Sequence, residues 1–310
     1  MGLPRYMAAA RLDDLERTFR LADDLITPQE KRGTLCLLQC GRPSPEATQL
    51  AEVLRRAGRH SVSIVVGNRR DAQSDLTLQK LAGVSTVWVF AEDLYEAFLT
   101  VFASQLAFAL RARAKEGLPV VGLGGGALAL GGLVVANRLC RHAQFEIVSG
   151  LGWAPRVLVD GGADRSTVDA LVARAAVQSL PGLLGVDLGL GGGVKVQGGR
   201  VESVGSEPIS LLGTAEDGSV LAMSLAPGQT TSIAPPPFAP FERRMLPASA
   251  ARALVKAGAP AERTGPPSMP PLASGPVSGD DSQHTRLGSA RVCPMCKKVH
   301  SAEARVELAA

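Results

Sequence analysis

Apolar and polar positions fall into a repeating order along most of this chain. Residues 7–26 place Leu12, Leu15, Phe19, Ala22 and Ile26 at helical spacing among Asp, Glu and Arg, predicting an amphipathic N-terminal helix. An apolar run over 33–38 reads as a buried strand. The segment 45–57, with Ser44 as cap, reads as a helix. Two more β-branched runs, 60–66 and 84–90, are followed by a long helical stretch over 94–115 and a strand over 118–123. Strands alternating with helices predict a mostly parallel sheet covered on both faces. Further on, 156–160 reads as a strand and 166–179 as a helix.

The rhythm changes after Pro181. Short strands over 185–190, 194–197, 200–204, 209–212, 219–225 and 230–233 are separated by turns, with Gly198-Gly199 and Asp217-Gly218 as hairpin signals. They predict an antiparallel extension of the sheet. Residues 234–289 are rich in Pro, Gly, Ser and Ala and read as a disordered linker, interrupted by a short helix over 248–257. The expected divisions are therefore an N-terminal helix (1–30), an α/β domain (31–233), the linker (234–289) and a small tail (290–310).

Composition narrows the function classes. The chain has 310 residues, a net charge of +4 and no basic run, which argues against a nucleic-acid partner. The most apolar stretch, 118–139, has membrane-spanning length but is interrupted by Gly122, Gly124, Gly125, Gly126, Gly131 and Gly132. Each glycine costs a helix about 1 kcal/mol relative to alanine, so no membrane span is expected. Without a secretory pattern, and with five scattered cysteines, the expected location is cytoplasmic.

Chemistry concentrates at one corner. Leu118-Pro-Val-Val-Gly-Leu-Gly-Gly-Gly-Ala127 runs from a strand through a glycine turn into an apolar helix. In α/β proteins such a corner seats a nucleophile or a phosphate. Here Gly124, Gly125 and Gly126 offer backbone and no reactive side chain. Gly122-x-Gly124-x-x-Ala127, with Glu146 beyond it, also has the form of a dinucleotide fingerprint. Such a fingerprint usually sits on the first strand of its unit, and here two or three strands come before it. Tight helix–strand packing explains the glycines more simply.

Four strings resemble the cyanophycinase-like family of serine peptidases, which shares a flavodoxin-like fold with class I glutamine amidotransferases. They are Gly122-Leu-Gly-Gly-Gly-Ala127, Gly150-Leu-Gly-Trp-Ala-Pro-Arg-Val-Leu-Val-Asp160, Leu184-Gly-Val-Asp-Leu-Gly-Leu190 and Gly199-Arg-Val-Glu-Ser-Val-Gly205. Coverage is roughly residues 31–233. The resemblance implies a flavodoxin-like three-layer sandwich with an antiparallel C-terminal extension. It also implies serine-type peptidase activity, but its catalytic positions are changed. The family's nucleophilic serine falls on Gly124, its histidine on Gly162 and its acid on Gly189 or Leu190. The paired glycines that help form its oxyanion site fall on Glu92 and Asp93. A serine nucleophile works only with a base that a third group orients. The expectation is therefore a non-catalytic pseudo-peptidase that binds or regulates a peptide or protein partner. The alternatives are a phosphate or nucleotide ligand at Gly122, Gly124, Gly125 and Gly126, and residual hydrolysis through displaced residues among Ser149, Ser166, Thr167 and His142. Self-association is left open.

Cys36 and Cys40 read as buried small residues, and Cys140 is solitary. Cys293-Pro-Met-Cys296-Lys-Lys-Val-His300 combines a C-x2-C pair with a nearby imidazole, a donor set suited to Zn2+ with the fourth ligand still to be supplied. A knuckle of this kind would tether a partner or pair two chains.

Overall fold

A computed structural model describes residues 5–10, 14–92, 94–135, 147–160, 173–174, 176–215, 217–233, 291–292 and 299–300. Two compact units divide at Gly258.

The first unit is built on a flavodoxin-like sheet. Its strands are β1 (Arg5–Ala9), β2 (Leu35–Cys40), β3 (Ser61–Val66), β4 (Thr86–Ala91) and β5 (Val120–Gly124). They lie parallel in the order β3-β2-β4-β5-β1. With β2 counted first, this is the 2-1-3-4-5 order of a doubly wound flavodoxin-like sheet, and β1 fills the fifth place. The connecting helices are α1 (Leu15–Asp24), α2 (Pro45–Arg56), α3 (Asp75–Ala82), α4 (Leu94–Val101) and α5 (Gln105–Lys115). Side chains cap several of them: Ser44 does so as the sequence suggests, and Ser104 does so where the stretch expected as one helix over 94–115 divides into α4 and α5. Ser44 Oγ accepts from Ala47 N (3.1 Å), and Ser104 Oγ accepts from Ala107 N (3.1 Å).

The N-terminus differs from expectation. The helix predicted over 7–26 is confined to Leu15–Asp24, and Arg5–Ala9 is a strand whose Tyr6, Met7, Ala8 and Ala9 are fully buried. A strand covered on both faces shows no alternation of polar and apolar positions, so Met-Ala-Ala resembled a helix start.

Beyond β5 the chain makes a six-residue helix, α6 (Gly125–Leu130), and returns at once as β6 (Gly131–Val135). A second sheet then forms from β6, β7 (Ile147–Ser149), β8 (Ala154–Asp160), β9 (Leu184–Asp187), β12 (Ile209–Thr214) and β13 (Val220–Leu225), in the order β13-β12-β9-β8-β6-β7. The remaining strands, β10 (Gly192–Gln197), β11 (Arg200–Gly205) and β14 (Thr230–Ser232), extend the first sheet antiparallel from β1. The antiparallel C-terminal region is present as expected, but its strands are shared between two sheets. Leu158, Ala173, Ala176, Val177, Leu180 and Leu183 form a core over the second sheet.

In the second unit, β15 (Arg291–Val292) pairs antiparallel with β16 (Val299–His300), placing Arg291 opposite His300. The linker reading of 234–289 lies outside the described residues.

Candidate functional site

The glycine corner stands at the carboxyl end of the parallel strands, where open α/β sheets bind their ligands. Gly124 ends β5 and precedes α6 with φ +58° and ψ −127°. A side-chain-bearing residue reaches this conformation at a cost of about 1–3 kcal/mol, whereas glycine adopts it freely. A sharp strand-to-helix turn is thus present, and the residue at its apex offers no side chain for chemistry.

The neighbouring glycines have packing roles. A Cβ on Gly122 would lie 2.6 Å from the Ala127 Cα, and one on Gly126 would lie 2.2 Å from the Val89 carbonyl oxygen. These contacts let α6 sit almost directly on β4 and β5. Because α6 has only six residues, its last four carbonyls lack partners within the helix. The first sheet and the next loop supply donors instead. Tyr6 Oη donates to the Ala127 carbonyl at 2.5 Å, Leu151 N to Ala129 at 2.9 Å and Trp153 N to Leu130 at 3.0 Å. Full burial raises the Tyr6 phenol far above its ordinary pKa, so it stays a donor.

Backbone pairing carries this end of the first sheet across to the second. Ala9 stands opposite both Leu123 and Gly193, which puts β5 and β10 two strand spacings apart, about 10 Å. Ala10 N donates to the Gly192 carbonyl, Gly192 N to Leu188 and Leu188 N to Asp160, each at 3.0 Å. Gly189 lies within this bridge at φ +59°, and its N–H donates to the Asp187 carboxylate at 3.0 Å. The turn thus favours glycine at 189 for conformational reasons of its own. Gly124 and Gly189 lie at the same end of the first unit's sheet. Gly162 lies outside the described residues, two positions beyond Asp160.

Asp160 and Asp187 end the adjacent parallel strands β8 and β9 in register, 4% and 8% exposed. Sequence reasoning did not single them out as a pair. Their signal was an aspartate closing an apolar run, as in Val-Leu-Val-Asp160 and Leu-Gly-Val-Asp187. The register of β8 against β9, which brings them together, is not readable from the sequence.

Other candidates are scattered. Glu92 is exposed just past β4, and Asp93 lies outside the described residues. Ser149 is exposed at the end of β7, whereas Glu146, His142, Cys140, Ser166 and Thr167 lie outside the described residues. His60 precedes β3 and meets Thr34 Oγ1 through Nδ1 at 3.0 Å, at the opposite end of the sheet from Gly124. Cys36 and Cys40 are buried in β2, and burial pushes both thiols up to about 12, which keeps them protonated. An open cleft of about 440 Å3 lined by Glu30, Val84, Arg113 and Leu118 lies at the amino ends of β4 and β5, away from the corner.

Among the described residues no group of three or more His, Cys, Asp or Glu is arranged to hold a metal, and no helix is long and apolar enough to cross a membrane. Cys293 and Cys296 lie outside the described residues, and His300 ends β16.

No protein-family model and no curated protein matches the chain. Its fold is similar to that in the crystal structure of a peptidase from an acI-B1 actinobacterium, with a TM-score of 0.59 over 75% of this chain and 98% of that one. Sequence identity is 17%, so the likeness is one of fold. A putative peptidase E protein from Listeria monocytogenes EGD-e aligns at a TM-score of 0.49 and 7% identity over 66% of this chain and 99% of its own. The chain has a flavodoxin-type α/β architecture, the fold it shares with that first structure.

Proposed function

We propose that this chain is a non-catalytic pseudo-peptidase of the cyanophycinase-like family, a binding or regulatory module for a peptide or protein partner. One observation carries this reading. The apex of the strand-to-helix corner is Gly124, held at φ +58° and ψ −127°, so the elbow persists without a nucleophile. Acyl transfer at such an elbow needs a hydroxyl or thiol at that point and a base beside it. The imidazole of His60 lies at the other end of the sheet.

A fluorophosphonate probe tests the reading directly. The purified protein is expected to show no covalent labelling under conditions that label an active serine hydrolase completely. Stoichiometric labelling at any serine would end the proposal. A phosphate ligand at the corner is the less favoured reading, because Gly122 and Gly126 are accounted for by contact with Ala127 and Val89.

For the tail, the pairing of Val292 with Val299 leaves six residues between them, and both cysteines of the C-x2-C pair fall within those six. That spacing supports Zn2+ held by Cys293, Cys296 and His300. Metal analysis of the full chain is expected to find zinc that the Cys293→Ser, Cys296→Ser double variant lacks. Equal zinc in both would remove the site.

A further inference from the structure

We infer that β13 is the seam of a homodimer, in which two copies of this strand pair antiparallel and join their second sheets into one. β13 reads Val220-Leu-Ala-Met-Ser-Leu225 and is bonded on one side to β12 over six residue pairs without a register shift. Among the described residues no strand pairs with its other edge. Four consecutive residues, Leu221 to Ser224, are exposed, with Leu221 at 59% and Met223 at 48%.

An edge strand presents a row of unpaired N–H and C=O groups, and monomeric proteins usually blunt it with charge, proline, a bulge or shortness. β13 has none of these. The other edges are better protected. β7 and β14 are three residues long, and β3 carries Ser61 and Ser63 and buries Ile64 and Val66. The open edge also lies beside apolar side chains on both of its faces, so an added strand would cover Leu221 and Met223 as well as satisfy the backbone.

The sequence of β13 fits a second copy of itself. Antiparallel pairing about a twofold axis through Ala222 keeps partners on the same face and sets Ala222 against its copy, Leu221 against Met223 and Val220 against Ser224. The nearest described acid, Asp217, falls opposite Pro227. No like charges meet, and the twofold closes the assembly at two chains. The chain's own later residues are poor occupants. β15 and β16 are paired with each other, and residues 234–290 are broken by prolines, which cannot complete a ladder. Of their proline-free stretches, 241–246 and 277–290 carry charged residues, and 248–259 is alanine-rich and favours a helix.

The test is the mass of the full chain in solution, read by sedimentation or light scattering at tens of micromolar. The expected value is twice 32.2 kDa, and Met223→Glu is expected to give 32.2 kDa with unchanged circular dichroism. Ala222→Lys, on the opposite face of the strand, provides a second disruption should Met223→Glu fold poorly. Amides of 220–225 are expected to lose hydrogen-exchange protection on dilution. A wild-type monomer would overturn the proposal, as would a dimer that survives both substitutions. A monomer whose 220–225 amides are protected at every concentration would assign the edge to another part of the same chain.

Discussion

Gly126→Ala is expected to destabilise the protein by about 2 kcal/mol or more, although alanine is the better helix former. Replacing glycine by alanine inside a helix returns at most about 1 kcal/mol. Against that gain, the new methyl would lie 2.2 Å from the Val89 carbonyl oxygen and 2.9 Å from its carbon. Both are backbone atoms of a buried central strand and cannot rotate away as a side-chain tip could. Overpacking of this kind sits near the upper end of its range, about 3 kcal/mol. α6 would have to lift from β4, loosening the hydrogen bonds that Tyr6, Leu151 and Trp153 make to its carbonyls. Thermal unfolding is expected to fall by roughly 4–8 °C. The control is Gly83→Ala at the end of α3, where a new methyl meets nothing within 4 Å. That change is expected to stay within about 0.5 kcal/mol of wild type. Equal melting of the two variants would show that α6 does not depend on the close approach at Gly126.

The contrast between these two glycines explains why part of the corner was legible in the sequence. A strand, a glycine cluster and a short apolar stretch can be read locally, and the structure places the turn at Gly124 as expected. Local signals also gave Ser44 as a cap and the strands β2, β3, β4 and β5. What the sequence hid depends on distant partners. Arg5–Ala9 becomes a strand because β5 and β10 bracket it, and nothing within those five residues announces either neighbour. The apolar run after the corner breaks at Gly131 because β8 is there to receive a strand, with the Val157 carbonyl oxygen 2.9 Å from where a Cβ on Gly131 would lie. The division of the C-terminal strands between two sheets has the same origin. β9 follows β8, and the positive-φ turn at Gly189 then sends β10 back to β1. Pairing across such sequence distances is decided by which buried edges remain open, and hydrophobic periodicity does not record that.

A nucleophile placed at the corner is expected to add no activity. Gly124→Ser is expected to fold with a modest loss of stability and to remain inert toward both a fluorophosphonate probe and peptide substrates. The stability loss comes from forcing a side chain into φ +58° and ψ −127°, about 1–3 kcal/mol. The inertness comes from the way a nucleophile, its base and the group orienting that base act as a unit. Losing the serine or the histidine alone costs about as much as losing all three, roughly a millionfold. Returning one member without the others therefore returns almost nothing. Among the described residues the imidazole of the first unit is His60, engaged with Thr34 at the amino end of β3. The buried acids Asp160 and Asp187 sit near the corner end, but no described imidazole stands between them and Gly124 for a carboxylate to orient. Turnover by Gly124→Ser is expected to be indistinguishable from wild type in an assay that would detect a ten-thousandth of an active serine peptidase. Labelling of Ser at 124 within minutes would mean that a base reaches the corner after all, and the chain would then be one substitution away from a working hydrolase.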